Sequence, residues 1–122
     1  MKFREKTLES GTKIILGKDE NSNDKLMKEF KGKINLILHT AAPGSPFGVI
    51  DNFNPSKEDV YMSGALVAKY SQDWRDNQSN VAVNIFTGKN ISKSKGLKPG
   101  TWNVKKSKTI IVKKEDILKI EQ

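Results

Sequence analysis

A chain of 122 residues, 35% hydrophobic and 30% charged, can bury one core while keeping a large solvated surface. It has no cysteine and a single histidine, His39, which excludes disulfides, thiol catalysis, thiolate zinc and multi-histidine metal centres. Its 22 Lys and Arg against 14 Asp and Glu give a net +8, which points to acidic partners, nucleic acid first among them.

The elements follow in chain order. Phe3–Leu8 and Thr12–Gly17 flank Glu9-Ser10-Gly11 and read as a hairpin. Asn21 or Asn23 can cap a short helix over Asp24–Phe30, whose apolar side is Leu26, Met27 and Phe30. Ile34–His39 is the most apolar strand, with only Asn35 polar before His39. Pro43-Gly44-Ser45 is turn chemistry, and Phe47–Ile50 returns as the second arm of a hairpin. Ser56, with Asp59 three residues on, resembles a capping box at the start of a helix running from Lys57 to Asp76. Val60, Gly64, Val67, Tyr70 and Trp74 would give that helix its buried stripe. Asn80–Phe86 alternates as a strand. Asn90–Lys93, Thr101–Val104 and Thr109–Val112 read as three more, before a terminal helix or strand over Glu115–Ile120. Nothing marks a boundary, so residues 1–122 are expected to form one α+β domain with hairpin-connected antiparallel strands, one short helix and one long one. No run reaches the ~18 apolar residues of a membrane helix, and MKFREKTLES lacks a signal-peptide core. No membrane partner is expected, and the cytoplasm is the default compartment.

The charge is not evenly spread. Residues 88–122 hold ten lysines and three acids, a net +7, leaving +1 for residues 1–87. Gly88–Lys114 holds nine of those lysines and no acid. Lysines gathered on one unit make a field that draws in polyanions. Gly96, Pro99 and Gly100 let a phosphate approach the backbone between them. The bland alternative is a solvated hairpin that aids solubility.

Four ordered patterns carry a family resemblance. They are Gly17-Lys18-Asp19 with Asn23-Asp24-Lys25-Leu26; Leu36-Ile37-Leu38-His39 with Pro43-Gly44-Ser45; Ala65-Leu66-Val67-Ala68-Lys69-Tyr70-Ser71; and Val81-Ala82-Val83 leading into Asn90–Gly100. Together they resemble NFACT-R, the RNA-binding domain of the Rqc, NEMF and fibronectin-binding-protein-like proteins of ribosome quality control. The resemblance spans about residues 11–113. It implies an RNA-binding module linked to tRNA, rRNA or the ribosome. Asn35, Ile37 and Pro46 stand where the family has Asp, Trp and a second His, as in a divergent stand-alone form.

The candidate RNA contacts are Lys89, Lys93, Lys95, Lys98, Lys105, Lys106 and Trp102 in the basic segment. Lys18, Asn23, His39, Gly44, Ser45 and Arg75 lie outside it. Trp102 among lysines suits base stacking, or it packs. His39 suits a phosphate or a base, or a bond to its loop. Asn23 suits an anion at a helix start, though capping is its commoner use. Gly44 and Ser45 expose backbone donors, or simply turn. No catalytic constellation is present, so an enzyme is not expected, nor a metal or cofactor. The competing role is a ribosome-associated adaptor whose basic face meets acidic protein.

Overall fold

The structure, a computed structural model, describes residues 3–121. Arg4–Thr7 (β1) and Lys13–Leu16 (β2) form the expected first hairpin. Leu36–Thr40 (β3) and Gly48–Asp51 (β4) form the second, and β4 also pairs with β2. Val81–Thr87 (β5) lies antiparallel to β3. Ile91–Ser92 (β6) and Asn103–Val104 (β7) make a separate two-stranded hairpin. Lys108–Val112 (β8) then pairs with β5 at the sheet's far edge. The six-stranded order is β1-β2-β4-β3-β5-β8, antiparallel throughout.

The strands alternate, so each side of the sheet has its own core. Ile14, Leu16, Leu38, Ile50, Val83 and Val112 pack against Lys57–Lys69 (α2), Gln72–Asn77 (α3) and Lys114–Glu121 (α4). Ile37, Val49 and Phe86 point the other way and pack against Glu20–Phe30 (α1), through Leu26, Met27 and Phe30. Ile91 and Trp102 of the basic segment join this second core. Each fully buried Leu or Ile here contributes about 1.5–3 kcal/mol. The basic segment is thus anchored by its own apolar residues to the α1 side of the sheet.

The α+β class is as read from sequence, but four details differ. The third strand starts at Leu36; Ile34 is 55% exposed, while Asn35 is buried and donates to the Ile50 carbonyl at 3.1 Å. The first helix starts at Glu20, because Asp19 and Ser22 form a reciprocal capping box, Ser22 N to Asp19 at 2.8 Å and Asp19 N to Ser22 Oγ at 2.9 Å. Neither Asn21 nor Asn23 caps it. The expected long helix is two, giving four α-helices among the described residues, besides a short 3-10 turn at Gly88–Asn90. Buried Ser71 breaks it, with its Oγ donating to the Ala68 carbonyl at 2.7 Å and accepting from Trp74 N at 3.1 Å. Ser56 caps α2 as expected, with Asp59 N donating to its Oγ at 3.0 Å. The Asp59 carboxylate instead accepts from Ser10 Oγ at 2.6 Å and Thr12 Oγ1 at 2.9 Å, tying α2 to the first hairpin. Among the described residues, no helix is long and apolar enough to cross a membrane.

Candidate nucleic-acid interface

Residues 93–102 form a loop between β6 and β7, too short in paired strand to hold itself. Asp24 of α1 holds it. One oxygen, Oδ1, accepts from Gly100 N at 2.8 Å, Trp102 Nε1 at 2.9 Å and Lys93 Nζ at 3.2 Å. Lys93 gives its other ammonium hydrogens to the carbonyls of Thr101 at 2.7 Å and Lys98 at 2.8 Å. It also sits 5.4 Å from the centre of the Trp102 ring. Burial pushes the Asp24 carboxyl up, but these hydrogen bonds outweigh it and hold the group below the usual carboxylate range.

This clasp sorts the candidate contacts. Lys93 is committed to the protein, so it is a brace and not a free cation for phosphate. Trp102 is buried, with its N–H spent on Asp24, so it supports the loop instead of standing among the lysines as an open stacking platform. Asn23 is buried and accepts from Phe47 N at 3.0 Å, fixing the Pro43–Pro46 loop. Lys89, Lys95, Lys98, Lys105 and Lys106 are exposed, and none has a carboxylate within ion-pair distance among the described residues. The braced loop therefore presents Lys95 and Lys98 from a fixed backbone, and Lys89, Lys105 and Lys106 flank it, also unneutralised, on either side of the β6–β7 hairpin.

The remaining candidates line two clefts on either side of Gly44. The larger, of about 330 Å³, brings together Lys18, Asn23, Gly44, Ser45 and Arg75 with Arg4 and Tyr70. Arg4, which sequence reading missed, lies 4.1 Å from the centre of the Tyr70 ring. Arg75 donates to Gln72 Oε1 at 2.9 Å, which leaves it exposed at the rim. Ser45 Oγ accepts from Thr40 N at 3.1 Å and donates to the Pro46 carbonyl at 3.0 Å, so this hydroxyl serves the turn. Gly44 O accepts from Gln72 N at 2.7 Å, docking the turn on α3. The smaller cleft, of about 210 Å³, is lined by His39, Pro43, Gly44, Asn84, Trp102 and Val104, among others. Among the described residues, no cluster of three or more His, Cys, Asp or Glu is placed to hold a metal ion.

His39 is half-buried, with its ring centre 4.5 Å from that of Phe47 and Nδ1 2.8 Å from the Thr40 carbonyl. Burial lowers its pKa from 6.5, and the carbonyl contact offsets only part of this. The folded imidazole therefore resists protonation more than the unfolded one. Its contribution to stability is fully present above the ordinary value of 6.5 and is lost as pH falls through the lower folded value. Urea midpoints measured across this window should fall with pH in the wild type. The decline should be shallower in His39→Phe, and equal slopes would refute the assignment.

The NFACT protein RNA binding domain family model matches residues 2–106. The Rqc2 homolog RqcH of Streptococcus suis (strain 05ZYH33) is 32% identical over 102 residues, covering 83% of this chain. The Rqc2 homolog RqcH of Bacillus subtilis (strain 168) is 30% identical over 104 residues, covering 84%. The chain spans 18% of the length of each of these relatives. The solved C-terminal part of the fibronectin/fibrinogen-binding protein from Streptococcus suis superposes with a TM-score of 0.85 at 29% identity, covering 98% of this chain and 49% of that one.

Proposed function

The chain belongs to the NFACT RNA-binding domain family, and from that premise we infer that it binds RNA through phosphate contacts of the braced lysine loop. The observation that carries this reading is the loop itself. Two exposed lysines, Lys95 and Lys98, stand on a backbone braced by Asp24, and three more, Lys89, Lys105 and Lys106, flank it, all five without acidic partners among the described residues. Lys18, Arg4 and Arg75 add three cations around the larger cleft, against Asp19 and Glu20 in the same lining. Such a surface contacts phosphates and is tolerant of sequence. Residues 1–122 act as one such module, in the cytoplasm and in ribosome quality control, on tRNA, rRNA or the ribosome. The family's RNA-binding description and the RqcH relatives support that setting.

The test is a fluorescence-anisotropy titration with mixed-sequence single-stranded RNA across a salt series. Contacts by all five lysines give a slope of log K against log salt of about −3.5, from about 0.7 per phosphate. Changing Lys95, Lys98 and Lys105 to Gln should make that slope shallower by about 2. Folding stability should move by less than about 0.5 kcal/mol, since all three are exposed. Lys6→Gln with Lys57→Gln, two exposed positions on β1 and α2, is the control and should change the slope much less. A flat salt response rules the mechanism out. Equal losses in both variants would mean that net charge, and not this loop, binds RNA.

A further inference from the structure

The smaller cleft differs in chemistry from the larger, charge-lined one across Gly44. Its floor is aromatic, with His39 tilted on Phe47 and Phe47 edge-on to Phe86 at 6.4 Å between ring centres. Its wall is Trp102 of the braced loop and Val104 of β7, and Val104 is 38% exposed at the rim. Two polar side chains line it from neighbouring strands. His39 and Asn84 are direct cross-strand partners in the β3–β5 ladder.

Their hydrogen bonds fix what each offers. Nδ1 of His39 faces a carbonyl, which only accepts, so Nδ1 carries the hydrogen and Nε2 is an acceptor. Asn84 Oδ1 accepts from Thr109 Oγ1 at 2.7 Å, and Nδ2 has no hydrogen-bond partner among the described residues. An acceptor therefore stands beside a donor over an apolar floor. Every nucleobase carries a donor beside an acceptor on its Watson–Crick edge, and proteins read splayed bases through such edges. The volume, about 210 Å³, lies below the ~300–1,000 Å³ of pockets that hold drug-sized ligands, and suits one ring system.

We propose that this cleft receives a single unstacked nucleobase of the bound RNA, hydrogen-bonded to His39 and Asn84 while the loop lysines hold the flanking phosphates. The proposal rests on the RNA-binding reading and gives it a base contact. Because all four bases present the required edge, the slot favours a base over none and discriminates little among them.

The test compares two probes on the full chain: a short mixed-sequence RNA and inorganic polyphosphate, a polyanion without bases. His39→Phe keeps the ring and removes the acceptor; Asn84→Ala removes the donor at a half-exposed position. Each should weaken RNA binding about fivefold, the scale of one lost hydrogen bond. The salt slope and polyphosphate binding should not change. RNA binding equal to wild type in both variants overturns the slot. So does an equal loss for RNA and polyphosphate, which would locate the damage in the lysine loop. Wild-type chain that fails to bind RNA would overturn the broader reading as well, so the two failures are distinct.

Discussion

Asp24→Ala should lose about 3 kcal/mol of stability, from three hydrogen bonds to one carboxylate, one of them charged on both sides. That lowers Tm by on the order of 10 °C for a domain of this size. Asp24→Asn keeps an acceptor and should fall between. The effect on RNA binding separates two mechanisms. Removing an acid raises the net charge from +8, so a loop acting only as a cloud of charge would bind RNA more tightly. A loop acting through fixed geometry would bind more weakly, because lysines freed with the backbone must be ordered again on binding. Ordering costs about 0.5–1.5 kcal/mol per long side chain, so the variant should bind about tenfold more weakly. Anisotropy titrations well below the variant's Tm decide the sign, and tighter binding would refute the brace. The same carboxylate should give the wild type an acid-sensitive step. Its folded pKa is depressed, so its contribution is present above the ordinary 3.8 and lost as pH falls through the folded value.

The brace also changes what the lysines mean individually. In sequence, Lys93, Lys95 and Lys98 are equivalent members of a basic run. In the structure, Lys93→Gln removes the partner of Asp24 and of two carbonyls, while Lys95 and Lys98 project into solvent. Lys93→Gln should therefore lower the melting temperature, and Lys95→Gln and Lys98→Gln should not. Thermal melts of the three single variants would show it, and indistinguishable melts would contradict the geometry.

Local patterns made most of the architecture readable. Alternating Val81, Val83 and Ile85, the apolar run before His39 and the Pro43-Gly44 turn each state their element within a few residues. What failed was competition between local signals. Asp19 with Ser22 outbid two asparagines for the first cap, and Ser71 stopped a helix whose apolar spacing ran on to Trp74. The charge segregation marked the segment proposed here as the RNA interface. It did not show which cations are free, since that depends on Asp24 meeting Lys93 across 69 residues. Arg4 was missed for the same reason. It reaches the larger cleft because β1 sits beside β2 and Tyr70 lies within reach, contacts that no periodicity encodes.

Gly88→Ala should be among the most damaging single changes in the chain, although it adds one methyl group. Gly88 opens the basic segment at the end of β5, where the C-terminal turn of α1 crosses it. Gly32 N donates to the Gly88 carbonyl at 2.8 Å, which draws the two backbones together. A Cβ on Gly88 would fall 1.8 Å from the Phe30 carbonyl oxygen and 2.8 Å from that of Lys33. Both obstacles are backbone, so no side-chain rotation relieves them. Either α1 lifts from the sheet or the basic segment leaves it, and in both cases Phe30, Ile91 and Trp102 lose part of their shared core. Overpacking usually costs 1–3 kcal/mol, and a clash against rigid backbone belongs at or above the top of that range, about 3 kcal/mol or more. Gly96→Ala is the fitting comparison. Its φ of +91° strains any Cβ, but nothing lies within 4 Å of the added atom. It should cost only the left-handed backbone penalty, about 1–2 kcal/mol. Urea unfolding of both variants, with amide exchange at Gly32, reads the difference. If Gly88→Ala proves no worse than Gly96→Ala, with the Gly32 amide still protected, then the close approach of α1 to the basic segment does not hold that segment in place.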